Sequence, residues 1–224
     1  MPPAGRPLLE EFAAVLSREA WDVALLQEAP PRWFGKLGAN GAMTLTSRNF
    51  GSALRGFVAD RRPDLIKSNE GGSNQTLVRP PWRIAEQRRL TLARFPERRR
   101  LLWTRLEHES GASLAVANLH TSANRPRSAA RELIHAADWC KHDELLIFGG
   151  DLNLRPAEDE ATFVELERRF GLSPITAPDA IDHLLCRGLE VVEPPARLAP
   201  ERREAPAGVR LSDHDLVVAV FAMT

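Results

Sequence analysis

The sequence predicts an α/β domain of stacked layers whose sheets are largely antiparallel, and three observations predict it. Short apolar runs recur along the chain, and several are adjacent in sequence with only turn residues between them. Separate stretches carry apolar residues at helical spacing. The chain has 224 residues, 43% of them hydrophobic, which suffices for one domain with a substantial core.

In order along the chain, Leu9, Phe12, Val15 and Leu16 place an amphipathic helix over residues 7–20. The run Val23 to Leu26 is a buried strand that stops at Pro30-Pro31. Residues 32–75 are rich in Gly, Asn, Ser and Arg and read as irregular, with one short helix near Ser52–Asp60. Strands follow at Thr76–Val78, Leu90–Phe95, Leu101–Glu107 and Ser113–Leu119. Ala130, Leu133, Ile134, Ala137 and Cys140 mark a helix over 127–141, and Leu145–Phe148 is another buried strand. A helix over 158–170 ends at Gly171. Ile181–Leu185 and Leu216–Phe221 are the last strands, and residues 193–210 between them read as a solvated loop.

Net charge is zero, but residues 1–112 hold eighteen Lys+Arg against twelve Asp+Glu, and residues 113–224 hold twelve against eighteen. Much of the excess lies between Arg79 and Arg105, which suits a polyanionic partner or a solvated basic face. Cys140 and Cys186 lack metal-ligand spacing and read as buried thiols of a reducing compartment. No apolar run approaches the roughly 20 residues that span a bilayer. The first residues do not read as a secretory signal, so a soluble, cytoplasmic, monomeric protein is expected.

Acidic and imidazole residues recur where apolar strands end. Glu28 follows Val23–Leu26, His120 follows Leu114–Leu119, and Asp151 and Asn153 follow Leu145–Phe148. Asp182 opens Ile181–Leu185, and Asp213 and His214 precede Leu216–Phe221. Strand ends are rigid mounts beside exposed loops, so these groups can converge on one cleft. Clustered carboxylates repel one another unless a cation sits among them, and oxygen donors are what Mg²⁺ prefers. The chemistry they suit is hydrolysis of a phosphate ester.

The segments Leu26-Gln27-Glu28, Asn118-Leu119-His120, Gly150-Asp151-Leu152-Asn153, Ile181-Asp182-His183 and Ser212-Asp213-His214 resemble the endonuclease/exonuclease/phosphatase family, in the family's order, from about residue 8 to residue 221. The resemblance implies one domain over residues 1–224, folded as a four-layered α/β/β/α sandwich of two mixed, largely antiparallel sheets. It implies Glu28 as principal metal ligand, with Asp213 on the metal side and Mg²⁺, or Mn²⁺, as cofactor. Asp151 resembles the carboxylate that orients or deprotonates water, and Asn153 the amide that holds the water or the phosphate. His214 resembles the imidazole on the scissile phosphate, and Asp182 the carboxylate orienting it. His120 is similar to a histidine acting on the phosphate or leaving group. Asn74, in Ser73-Asn74-Gln75-Thr76-Leu77, resembles a phosphate-contacting residue or is a turn asparagine; Arg99 or Arg100, of which Arg100 is preferred, mirrors an arginine that binds substrate. His183 is expected on the opposite strand face, and His108, His135 and His142 on the surface.

The expected activity is hydrolysis of a phosphodiester, with DNA or RNA favoured because Trp33, Phe34, Lys36, Arg48, Phe50, Arg55 and Phe57 could stack on bases beside a phosphate groove. The alternatives are an impaired or inactive phosphate-binding relative, and a phosphatase for a lipid or small-molecule phosphate. One departure bears on activity. Relatives open with a strand that carries an asparagine, whereas this sequence opens at the helix that should follow it. An upstream start, a natural variant of the sheet and a degenerate relative each account for this, and loss of a central strand costs several kcal/mol.

Overall fold

The computed structural model describes residues 8–46, 72–95, 97–205, 208 and 210–223. The helix expected near Ser52–Asp60, with Arg48, Phe50, Arg55 and Phe57, lies outside the described residues. In chain order the elements are α1 (Leu9–Arg18), β1 (Val23–Ala29), β2 (Asn40–Leu45), β3 (Ser73–Val78), β4 (Trp82–Ala93), β5 (Arg99–His108), β6 (Ser113–His120), α2 (Pro126–Trp139), β7 (Leu146–Asp151), α3 (Glu160–Phe170), β8 (Asp182–Arg187), β9 (Glu190–Arg197) and β10 (Val217–Ala222).

The larger sheet runs β4-β5-β6-β7-β8. Its neighbours are antiparallel except β6 and β7, which are parallel and are joined by the crossover helix α2. Strand alternation decides what each face meets. On β6, Ala115, Ala117 and Leu119 face the helices, where Leu133 of α2 and Leu166 of α3 seal the core. Leu114 and Val116 face the other way, against Val78 and the half-buried Leu25. Truncating the fully buried Leu133 to alanine is expected to cost about 2–5 kcal/mol. At the C-terminus of α3, Gly171 takes φ 64° and closes the helix, as its sequence position predicts.

The second layer holds the sheet β1-β3-β2 and the pair β10-β9, all antiparallel. Helix α1 lies across both: Leu16 packs with Leu77 and Leu26, and Val15 with Leu211 and Leu216. Phe12 touches both clusters. The layers are therefore helix, sheet, sheet, helix. Among the described residues, β1 and β10 each have one ladder partner. Among them also, no helix is long and apolar enough to cross a membrane.

Three expectations need correction. The region 32–75 contains β2 and an extended β3, in which Ser73, Asn74, Gln75 and Thr76 are buried although polar. The loop expected over 193–210 begins as β9, and Pro194 and Pro195 fall where the register with β10 slips. Proline is tolerated there because, among the described residues, β9 pairs on one side only. Strand β4 starts eight residues earlier than Leu90, its edge position hidden by exposed Arg83, Gln87 and Arg88. Cys140 and Cys186 are buried and unpaired, and burial pushes the Cys140 thiol up to about 12.

Candidate active site

The site lies where β1, β6 and β7 end and β8 begins. Across the larger sheet, His120 is in register with Asp151, and Asp151 with Asp182. Three neighbouring strands thus present one titratable side chain each in a row. The sequence before Asp151 makes this alignment possible. A Cβ on Gly149 would lie 2.4 Å from the His183 carbonyl, and one on Gly150 would lie 2.1 Å from the Leu119 carbonyl. Gly150 also takes φ 130°, so only glycine fits the close strand approach.

Glu28 reaches the row from the facing sheet. Leu26 pairs with Gln75 and Ala29 with Ser73, so β1 carries one extra residue there. This bulge puts Glu28 at φ 53° and turns its carboxylate outward, 71% exposed. Beneath it, Gln27 donates from Nε2 to Asn118 Oδ1 at 2.8 Å, and Asn118 Nδ2 donates to the carbonyls of Gln75 at 2.9 Å and Leu26 at 3.3 Å. These two amides, of which Asn118 is fully buried, tie the two sheets together under the site. Both stand in the motif segments, yet their role in joining layers has no sequence signal.

Glu28 Oε1 stands 3.7 Å from His120 Nδ1, and His120 Nε2 stands 3.3 Å from Asp151 Oδ2. Asp151 Oδ2 is 4.0 Å from His214 Nε2, and His214 Nδ1 is hydrogen-bonded to Asp182 Oδ2 at 2.9 Å. Asn153, at φ 49°, donates its backbone N–H to Asp151 Oδ1 at 3.0 Å and its Nδ2 to the Thr121 carbonyl at 3.1 Å. Asp213 is exposed and lines a cleft of about 220 Å³ with Asp179, Asp182, Arg197, His214 and Asp215.

Two expected substrate residues sit differently. Asn74 is fully buried and donates to the Arg100 carbonyl at 2.8 Å. The Arg100 guanidinium reaches Thr44 Oγ1 at 3.4 Å. The arginine at the site is Arg99, 94% buried because its residue exposure is 6%, with Nη1 within 2.9 Å of the His120 ring nitrogens and 3.8 Å from Glu28. Arg99 and Arg100 are consecutive on β5, so their side chains leave the strand in opposite directions, one to His120 and the other to Thr44. Trp33 is half-buried under α1, its ring 5.3 Å from Phe12. His183 is buried on the helix side against Phe163, and burial pulls its pKa down to about 4.

The electrostatics separate the titratable groups. The bond to Asp182 raises His214 to about 9, so it is an imidazolium at neutral pH. Burial, then Arg99, drops His120 to about 3, so it is neutral and can accept from the guanidinium. Burial, then Asp182, raises Asp151 to about 6. Asp151, Asp182 and His214 place ligand atoms within 4.8 Å of one another. In its charged form the imidazole offers no lone pair, and the trio is then a protonated histidine flanked by two carboxylates. The donors that suit a hard divalent cation are the Glu28 and Asp151 carboxylates. Glu28 is among the groups that raise Asp151, and a cation between them would relieve that repulsion.

A sequence model of the endonuclease/exonuclease/phosphatase family matches residues 3–214. The chain belongs to that family. An endonuclease/exonuclease/phosphatase from Bacteroides vulgatus superposes with a TM-score of 0.71 at 14% identity, over 96% of this chain and 90% of that one. A mannosyl-6-phosphatase from Bacteroides thetaiotaomicron gives 0.68 at 13% identity, over 96% and 90%. D. rerio TDP2 complexed with a single-strand DNA product gives 0.67 at 17% identity, over 97% and 94%. At these identities the likeness is one of fold. No curated protein matches the sequence.

Proposed function

We propose that this single-domain protein is a divalent-metal-dependent phosphoesterase, with a phosphodiester of DNA or RNA as the favoured substrate. The observation that carries the reading is the row His120–Asp151–Asp182 across three strands, with His214 bonded to Asp182 and Glu28 brought over from the other sheet. Mg²⁺ or Mn²⁺ would be held by Glu28, with Asp151 and Asp213 on its flanks. When bound, it supplies charge neutralisation on the phosphoryl oxygens.

The side chains then divide the work. Asp151, ionised above pH 6, accepts the proton of the attacking water. His214, charged and held in one orientation by Asp182, donates from Nε2 to a phosphoryl oxygen. Asn153 is fixed beside Asp151 by Thr121 and positions water or phosphate through its amide. Neutral His120 accepts from Arg99 and keeps that cation at the site, where phosphate can use it. Asn74 and Arg100 contribute from behind, through the hydrogen bond that sets the start of β5.

A second reading, a small-molecule phosphatase, has its own support. Asp179, Asp182, Asp213 and Asp215 line the cleft beside His214, and its Arg197 is already paired with Asp179 at 2.9 Å. Such a wall repels a long polyanion and accepts hydrogen bonds from hydroxyls. Turnover of single-stranded DNA, RNA and a sugar monophosphate, each with Mg²⁺ and with Mn²⁺, decides between the two. An inactive phosphate-binding relative would turn over none of them.

A further inference from the structure

His214 lies in the segment between the short 3₁₀ turn Pro200–Arg203 and β10, without a ladder partner of its own. Asp182 fixes its ring, but something else must fix the backbone that carries the ring. The next residue provides the means. The Asp215 carboxylate is one-third exposed and has an arginine on each oxygen: Arg203 Nη1 stands 2.7 Å from Oδ1, and Arg197 Nε stands 4.0 Å from Oδ2.

The two arginines are anchored on opposite sides. Arg203 is 8% exposed and also donates to the Asp213 carbonyl at 3.4 Å, so it grips the chain on both sides of His214. Its neighbours are tied to α1, where Arg18 donates to the carbonyls of Arg202 and Glu204 at 3.3 and 3.1 Å and Arg202 pairs with Glu19. Arg197 comes from β9 and gives both Nη groups to Asp179 at 3.1 and 2.9 Å.

We propose that Asp215 is a positioning residue for His214, clamped by Arg203 from inside the fold and steadied by Arg197 across the cleft. The claim rests on the reading that His214 contacts the phosphate during turnover. A buried arginine without its carboxylate is strongly unfavourable, so Arg203 holds Asp215 in one place rather than in several. The imidazole next to it then inherits that placement.

Two measurements on the full chain test this. The first is hydrolysis of bis(p-nitrophenyl) phosphate with Mg²⁺, well below the melting temperature of every variant. Asp215→Asn and Arg203→Met should each lower kcat about tenfold with KM changed less than about twofold, because sub-ångström misplacement costs rate before affinity. Arg203→Lys keeps the ion pair and should recover most of the loss. The second is the NMR signal of the His214 Nδ1 proton, protected by Asp182 in the wild type and expected to broaden or vanish in Asp215→Asn and Arg203→Met. A wild type without turnover would sink the catalytic reading, while the imidazole proton would still report the clamp. An unchanged proton signal in both variants, or unchanged kcat beside an active wild type, overturns the proposal.

Discussion

At the scale of single residues, the proposed mechanism depends on two pKa values moved from their ordinary positions. Asp151 rises to about 6, so its folded value lies above its unfolded one. Ionising it therefore costs stability, a cost that appears as pH climbs from about 4 through 6 and is fully present above that. His214 rises to about 9, so its charged form stabilises the fold below about pH 6.5, and that contribution is lost as pH passes through 9. For activity, kcat/KM should be flat between these limits. It should fall below about pH 6, where Asp151 is protonated, and above about pH 9, where His214 is neutral. Raising Mg²⁺ should move the acid limb to lower pH, because a cation favours the carboxylate. Asp182→Asn replaces the charge-assisted bond that is the largest cause of the His214 shift by a neutral one, so the alkaline limb should move down. A pH–rate series on both proteins checks this; an alkaline limb unmoved in Asp182→Asn contradicts the assignment. Gly150→Ala, with its Cβ forced onto the Leu119 carbonyl, should destabilise the protein by more than about 3 kcal/mol in denaturant unfolding.

At the scale of elements, the most legible strands in the sequence are those buried on both faces. Leu101–Leu106 and Leu114–Leu119 read as largely apolar runs, broken at Thr104, Arg105 and Asn118, because helices cover one side and the second sheet the other. Strand β9 was hidden by Pro194 and Pro195, which an edge strand tolerates and a central one does not. Strand β2 was hidden by Gly41 and Thr44, which serve close packing and a contact with Arg100 rather than hydrophobic burial. The carboxylates and histidines of the candidate site were legible because each stands at one end of an apolar run. Arg99 was not separable from Arg100, since three arginines in a row give no signal as to which one turns towards His120. The pairing also sets a testable pattern of protection. β1 and β10 each lack a second described ladder partner, so their outward amides should exchange on the order of a thousandfold faster than those of β5 and β6. Uniform slow exchange along β1 would mean that another segment pairs with that edge.

At the scale of the whole molecule, the two sheets are joined under the site by polar groups rather than by core alone. Asn118→Leu removes the acceptor of Gln27 and leaves two carbonyls unpaired, so it should cost about 1–3 kcal/mol and reduce turnover together with it. The surplus of arginine between Arg79 and Arg105 also finds internal use. Arg79 bonds the carbonyls of Leu16 and Glu19 and stacks on Trp21, and Arg99 belongs to the site. Arg83 and Arg88 are paired with Glu107 and Glu86. Among the described residues, part of the arginine surplus is therefore taken up by these contacts.

The central claim is that groups from two sheets act together on one phosphate with a divalent cation. Its most direct test is single-turnover hydrolysis of a phosphodiester with Mg²⁺, comparing the wild type with Asp151→Ala and with wild type in excess chelator. The account predicts turnover in the first and a loss of about a hundredfold or more in the other two. Equal rates in all three would contradict it.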